Sequence, residues 1–497
     1  MKFIKLILFS LVIFCTQVVA QRDYNWQLGH FINPALTKFE LDFSNGNPDT
    51  FSLFRPMPFW NTNAIICDTS GNLLFYTNGI YIANANHDTL LNSENFNPGS
   101  ATFNNPVSGL NVIQGALILP YPASDSLYII LHESGENFVA NNFLEQQPFN
   151  LRYSMVDLSL DNGLGAIVPN EKGVILITDT LFTGKMTACR HGNGRDWWVL
   201  THKYDSDIFY RLLITPDTIM VDSLQIGSHV LWDFGGQAIF SPDGNKYALI
   251  TQNLLVDIFD FDRCTGSLSN HVTTLIPDSV NGNFGASISN NNRFLYVGSF
   301  YKIWQFDLFA SDIPNSIIQV AQWDTVSSPF PTLFFLHQLA PDGKIYLSTW
   351  NGCDVLHVIE SPDSLGLACN VLQNEILLPR ANVSVPHFPN YNLGILQGSS
   401  CDTIVGINPI HINKPPNLNL FYQPQWQLAS ITANNLSGTK GIMEIFDVQG
   451  KRVHREVMQI ENGDYTRNFN MTGMADGMYF VNLISSGQRL SGKIIKY

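Results

Sequence analysis

His132-Glu133 closes the apolar run LYIILHE, and His202 stands at the matching place after Trp197-Trp198-Val199-Leu200. An imidazole beside a carboxylate is the pairing that general acid–base catalysis uses. Two polar residues ending strands at the surface are the commoner meaning of such a pattern, and that plainer reading is preferred. His337 opens the unit FFLHQLAPDG, where the corresponding positions are Thr187, Gln237 and Gly285. A single histidine among small or neutral neighbours reads as a hydrogen-bonded structural residue before it reads as a catalyst.

Arg190, His191 and Arg195 crowd one turn, where cations could hold a phosphate or carboxylate; a solvated turn is the simpler account. Asp260 and Asp262 near Cys264 offer oxygens for calcium but lack the Asp-x-Asp-x-Asp-Gly run, which favours a capped turn. Trp197, Trp198, Trp232, Trp304 and Trp350 are read as packing residues rather than sugar platforms. The sequence holds no GxSxG, HExxH, Walker or Rossmann pattern and no zinc-type Cys/His spacing, so neither a metal nor a cofactor is expected.

The elements carrying these residues repeat. AIFSPDGNKYALIT from Ala238 sets an apolar strand, a Ser-Pro-Asp-Gly turn and a second strand. Pro presets φ, Asp bonds back to nearby N–H groups and Gly accepts φ > 0. SISNNNRFLYVG from Ser287 and QLAPDGKIYLST from Gln338 repeat the pattern, and earlier copies open at Ala64, Ala116 and Ala188. Third strands follow at Leu151 to Asp157, Phe209 to Ile214, Val256 to Asp262, Ile303 to Asp307 and Val355 to Glu360. Second strands begin near Trp197, Tyr247, Leu295 and Ile345, about fifty residues apart, which is the period of WD40-like, four-stranded propeller blades.

The fold expected is therefore all-β: a β-propeller, seven blades favoured and six the alternative, followed by a small C-terminal β-sandwich. A seventh blade is expected from the strand at Leu41 to Phe43 paired with Ile376 to Leu396. His337 would then stand on a first strand, which lines the channel. The longer interval from Leu127 to Trp197 contains a polar loop, Asn137 to Asn150, too long for a simple hairpin, where a ligand-contacting edge is expected.

Composition limits function. Net charge is −14, and only 14 % of residues are charged while 45 % are hydrophobic. That argues for a folded body and against nucleic acid, whose binders need Lys and Arg. Lys2 and Lys5, the apolar Ile4 to Cys15 and Val18-Val19-Ala20 form a signal peptide over 1–20; no later run is long enough to span a bilayer. Six cysteines then remain, and a bridge is expected within Cys353, Cys369 and Cys401. The propeller should occupy 21–398, a Pro- and Asn-rich linker 399–417 and the sandwich 418–497.

The last unit, GIMEIFDVQGKRVHRE followed by NMTGMADGMYFVNLISSGQRLSGKIIKY, resembles the type A C-terminal sorting domain of the type IX secretion system of Bacteroidetes. The turn at Gly450-Lys451, the Gly477-Met478-Tyr479 motif and the closing Lys493-Ile494-Ile495-Lys496 carry the likeness. Met478 departs from the usual β-branched residue. FSPDG at 240–244, FDRCTG at 261–266 and HFPNYNLG at 387–394 likewise resemble propeller cargo of that system. The resemblance implies Gly450, Lys451, Gly477, Tyr479, Lys493 and Lys496 as sorting-signal residues and the outer-membrane secretion machinery as partner. It also implies a secreted or cell-surface destination. Within it, the leading expectation is a non-enzymatic module recognising extracellular protein or glycan. The alternative is a hydrolase or lyase acting on polysaccharide or peptide at the channel mouth, which requires two or more ionisable side chains converging in a pocket and would be favoured by His337 beside an acidic channel residue.

Overall fold

The structure, a computed structural model, describes residues 20–30, 37–104, 106–140, 143–231, 235–278, 282, 285–327, 329–402, 417–423, 427–434, 436–460, 465–486 and 488–496. The stretch expected as a signal peptide, all but Ala20, lies outside the described residues, as do Trp232 and most of the expected linker. The chain divides into two units, Met1–Thr403 and Ile404–Tyr497.

The repeated turns fold as antiparallel meanders. Asn25–Leu28, Lys38–Asp42 and Asp49–Leu53 form a first sheet, and Ala64–Cys67, Leu73–Thr77 and Ile82–Asn84 a second. In the third, Ala116–Pro120 and Leu127–Glu133 lead to Asn150–Asp157, which pairs onward with Ala166–Ile167 and Val174–Thr178. The fourth runs through Thr187–Arg190, Trp197–His202, Ser206–Ile214 and Ile219–Val230. Ala238–Phe240, Lys246–Ile250, Leu255–Asp262 and Ser267–Leu275 make the fifth. The sixth is Gly285–Ile288, Phe294–Gly298, Lys302–Asp307 and Ile318–Gln322; the seventh is Phe334–Leu339, Ile345–Thr349, Val355–Ile359 and Val371–Leu377.

Each sheet covers the next, because a meander this small cannot bury both faces alone. Asn63 Nδ2 donates to Gln27 O, Thr62 Oγ1 to Val112 O, Trp197 Nε1 to Pro120 O and Trp198 Nε1 to Arg263 O. Ala248, Ile250, Ala286 and Val297 share one core between the fifth and sixth sheets, and Tyr296 OH donates to Pro362 O of the seventh. Trp26 of the first sheet meets Tyr346 of the seventh edge-on at 5.7 Å, which closes the circuit. The body is an all-β propeller.

Three expectations are corrected. The first sheet is built entirely from N-terminal chain, its hairpin turning at Asn45-Gly46 with Gly46 at φ +89°. It borrows nothing from Ile376 to Leu396. That stretch carries Pro379, Pro386 and Pro389, which lack the N–H a ladder needs. After Leu377 it runs instead as an irregular strap: Asn382 N–H donates to Cys353 O, His387 N–H to Asn63 O, and Tyr391 OH to Ile118 O. The Asn137 to Asn150 loop is a hairpin, Glu136–Ala140 against Phe143–Gln147. Finally, Cys401 bonds to Cys264 across 137 residues, while Cys353 and Cys369 are buried free thiols, as are Cys67 and Cys189. The bridge ties Cys401 to the fifth sheet.

The second unit is a sandwich. One sheet orders Asn417–Gln423, Leu428–Asn434 and Tyr465–Asn470; the other orders Arg452–Gln459, Lys440–Phe446, Gly477–Ser485 and Gln488–Lys496. Alternating residues, among them Ala429, Ile431, Met443, Ile445, Val481 and Leu483, fill the space between them.

Candidate functional site

The innermost strands of the fourth to seventh sheets converge on a cavity of about 410 Å³. They contribute Thr187 to Cys189, Ile239 to Ser241, Ala286 to Ile288 and His337 to Leu339; the N-terminal Asp23 and Tyr24 and strap residues His387 to Asn390 complete the wall. Pro242, Asn290, Pro341 and Gly343, from the turns after first strands, also line it. Antiparallel order therefore puts the cavity at the opposite end of the sheets from the Glu136–Gln147 hairpin, which leaves the end of a second strand. The expected ligand edge and the cavity are at different ends.

Two glutamines tie the first strands together. Gln114 accepts from Ala238 N–H at 3.0 Å and donates to Ala238 O at 2.9 Å and His387 Nδ1 at 3.0 Å. Gln237 accepts from the N–H groups of Ala286 and His337 at 3.0 and 2.9 Å and donates to His337 O at 3.1 Å. Each amide satisfies backbone edges that a first strand, with no inner neighbour, would otherwise leave open.

His337 is 1 % exposed, and neither ring nitrogen has a hydrogen-bond partner among the described residues. The imidazole lies against Gly285 and Gly298, a cross-strand pair of the sixth sheet whose missing side chains make room for it. Burial chiefly, with the neighbouring His357 imidazole adding to it, lowers its pKa to about 3. The ring is thus a neutral plug between sheets. A Cβ on Gly298 would stand 2.5 Å from His337 Nε2, and its three nearest neighbours would all be atoms of that ring. Gly298→Ala should therefore destabilise by about 1–3 kcal/mol through overpacking, and His337→Ala should relieve most of that penalty. Urea midpoints of the two single variants and the double variant measure the coupling; strict additivity would refute this packing.

His132 and Glu133 are fully buried, not at the surface, and His202 is 1 % exposed. Successive residues of a strand point to opposite faces, and both faces here are covered by neighbouring sheets. His132 Nε2 meets Ser154 Oγ at 3.1 Å and its ring packs on Phe96, while Glu133 Oε1 accepts from Thr201 OH at 3.2 Å. Among the described residues no hydrogen bond joins the two side chains or links either to His202, whose Nδ1–H donates to Lys203 O. Burial lowers His132 to about 3 and His202 to about 4, and raises Glu133 to about 8, partly offset by Thr201 and Lys185. Lys185, equally buried, donates to Ile250 O at 2.7 Å. Its burial had no sequence signal, because a lone lysine between turns reads as surface.

The basic turn is consumed internally. Arg190 lies 4.0 Å over the Trp197 ring and donates to Arg195 O, Arg195 pairs with Asp196 at 2.7 Å, and His191 Nε2–H donates to Cys264 O. Asp260 pairs with Lys246 and accepts from Asn270, and Asp262 caps the N–H groups of Cys264 and Thr265. Trp197, Trp198 and Trp304 are buried, whereas Trp350 is 41 % exposed.

In the sandwich, Asp447 Oδ1 accepts from Gln449 and Lys451 N–H across a turn that needs Gly450 at φ +78°. Tyr479 OH donates to Ala475 O, and Lys496 Nζ donates to Met474 O and pairs with Asp476 at 2.9 Å. These hold the 471–476 turn against the sheet. Gly477 and Lys493 are exposed.

Residues 423–497 match the family model described as the secretion system C-terminal sorting domain. The last unit is thus a sorting domain of the type IX route, which takes its cargo to the cell surface or the medium. No curated protein matches the chain. Among solved structures, a Bacteroides fragilis protein described as a candidate 6-phosphogluconolactonase is 11 % identical at a TM-score of 0.41, covering 73 % of this chain and 97 % of its own. AztD from Citrobacter koseri is 12 % identical at 0.37, covering 73 % and 96 %, and the Cps50 (Swd1) β-propeller domain of Myceliophteria thermophila is 8 % identical at 0.36, covering 66 % and 94 %. These likenesses are too distant to bear on substrate or chemistry.

Proposed function

We propose that the chain is exported by its signal peptide and sorting domain as a binding propeller, taking a neutral glycan in the axial cavity without transforming it. The wall carries this reading. Thr187, Ser241, Ser287, Asn290, Gln338 and Asn390 supply neutral donors and acceptors, and Tyr24, Phe240 and Phe388 supply apolar faces. A pocket that is largely apolar with a few convergent polar groups is the usual form of a small-ligand site. Among the described residues its lining includes no Lys or Arg, which disfavours anionic ligands. Asp23 is its acid, raised by burial to about 6. His337, the base that hydrolysis would call on, is turned against the glycine pair.

Purified protein on an array of neutral glycans, acidic glycans and peptides tests this, with product release monitored in parallel. Neutral glycans should bind, and Asn290→Trp, which fills the cavity mouth from an exposed position, should abolish binding without lowering the melting temperature. Gln338→Ala should weaken it about tenfold, the worth of one hydrogen bond. Binding confined to peptides or acidic glycans, or substrate breakdown, would overturn the proposal.

A further inference from the structure

Of the implied sorting residues, Tyr479 and Lys496 are occupied in holding a turn, and Gly450 in making one. Lys493 has no such task, and its surroundings explain why a lysine stands there. On the strands Gly477–Ser485 and Gln488–Lys496, Tyr479, Val481, Leu483 and Ile494 point into the core. The alternate residues make a solvent face that is unusually apolar for the outside of a sandwich. Phe480 is 43 % exposed, Ile495 50 % and Val457 59 %. Register places Phe446, Phe480 and Lys493 side by side in one row, with Met478 and Ile495 paired in the next.

The charges on this face are unbalanced. Glu444 takes both Arg452 at 2.8 Å and Arg455 at 3.4 Å, while Arg489 and Lys493 form no ion pair among the described residues. Residues 404–497 contain nine Lys and Arg against six Asp and Glu, in a chain whose net charge is −14. The export unit is therefore basic on an acidic cargo, and its excess cations border an exposed aromatic row.

We infer that the solvent face of the four-stranded sheet, centred on Phe446, Phe480 and Lys493, is the surface by which the sorting domain docks on the secretion machinery. The partner surface is apolar at its centre and rimmed by carboxylates. The inference rests on the sorting-domain assignment and specifies the face and the partner's chemistry. A protein fits better than a lipid layer, because adjacent strands about 4.8 Å apart fix the row in a register that a folded partner can match. Aromatic residues are also enriched in protein interfaces, whose rims are polar.

The full chain is expressed in a cell with the type IX machinery, and surface plus medium protein is compared with the periplasmic pool. Phe480→Ser and the paired reversal Lys493→Glu/Arg489→Glu should each cut export about tenfold or more, the effect of losing a hot-spot contact. The charge reversal alters exposed side chains only, so it keeps the test valid if Phe480→Ser fails to fold. Thr466→Glu/Asn468→Glu, on the exposed side of the other sheet, should export normally. Normal export of the reversal variant overturns the proposal, as does equal loss from the control pair. Binding of purified full-length chain to anionic vesicles that requires Lys493 and Arg489, with export intact, assigns the face to lipid and also overturns it. A chain lacking 423–497 that is still exported would refute the sorting reading itself.

Discussion

On acidification from pH 7 the folded protein should lose its cooperative structure near pH 5, well above the point where surface carboxylates titrate. His132 and His337 are lowered to about 3, and His202, His357 and His387 to about 4, each chiefly by burial. His357 shows the cause: Nε2–H donates to Thr332 O and Nδ1 accepts from Asn374 N–H, so the ring is held in one neutral tautomer with no room for a second proton.

The unfolded chain protonates these rings through pH 6.5 and the folded chain does not, so stability rises with pH between the two values and falls on acidification. Each ring contributes up to about 1.4 kcal/mol per pH unit, and the five together can offset a typical stability of 5–15 kcal/mol within about two units. Glu133 and Asp23, raised to about 8 and about 6, act oppositely. Their contribution is present at low pH and lost as pH rises through those values. Greatest stability is therefore expected between about pH 6.5 and 7. Urea midpoints from pH 4 to 8, followed by tryptophan fluorescence, measure it. An unchanged midpoint at pH 4.5 would refute neutral burial of these rings.

Reduction of Cys264–Cys401 should cost about 3–5 kcal/mol, the loop-closure entropy of a crosslink spanning 137 residues. The bond joins the Asp262 to Gly266 turn of the fifth sheet to the end of the strap. The strap also holds Gly394 O on Arg263 Nη2 and Leu396 N–H on Gly192 O. Without the crosslink the strap should open first, taking with it the Phe388 and Asn390 side of the cavity. Guanidinium midpoints with and without reductant, against a Cys264→Ser/Cys401→Ser variant that should no longer respond to reductant, decide this. Equal midpoints in the wild-type protein would show that the strap is held by packing alone. Hydrogen exchange of 378–401 would show whether opening is local.

Local residue chemistry is enough to specify the sheets. A turn of Ser-Pro-Asp-Gly type between apolar runs allows few local conformations, so strands, period and propeller class could be read from Ala238 to Thr251 and its copies. The sorting domain was equally legible, because its ordered turns and closing basic strand are local features. Tertiary structure alone decided which side chains are free to do chemistry. His132, Glu133, His202 and Lys185 look like surface polars in one dimension and are buried because sheets cover both faces of their strands. The partner of Cys401 was undecided for the same reason: closing the ring of sheets brings a turn 137 residues upstream beside it, nearer than the cysteines close in sequence. Proximity across sheets is set by packing, and the spacing of residues along a chain does not encode it.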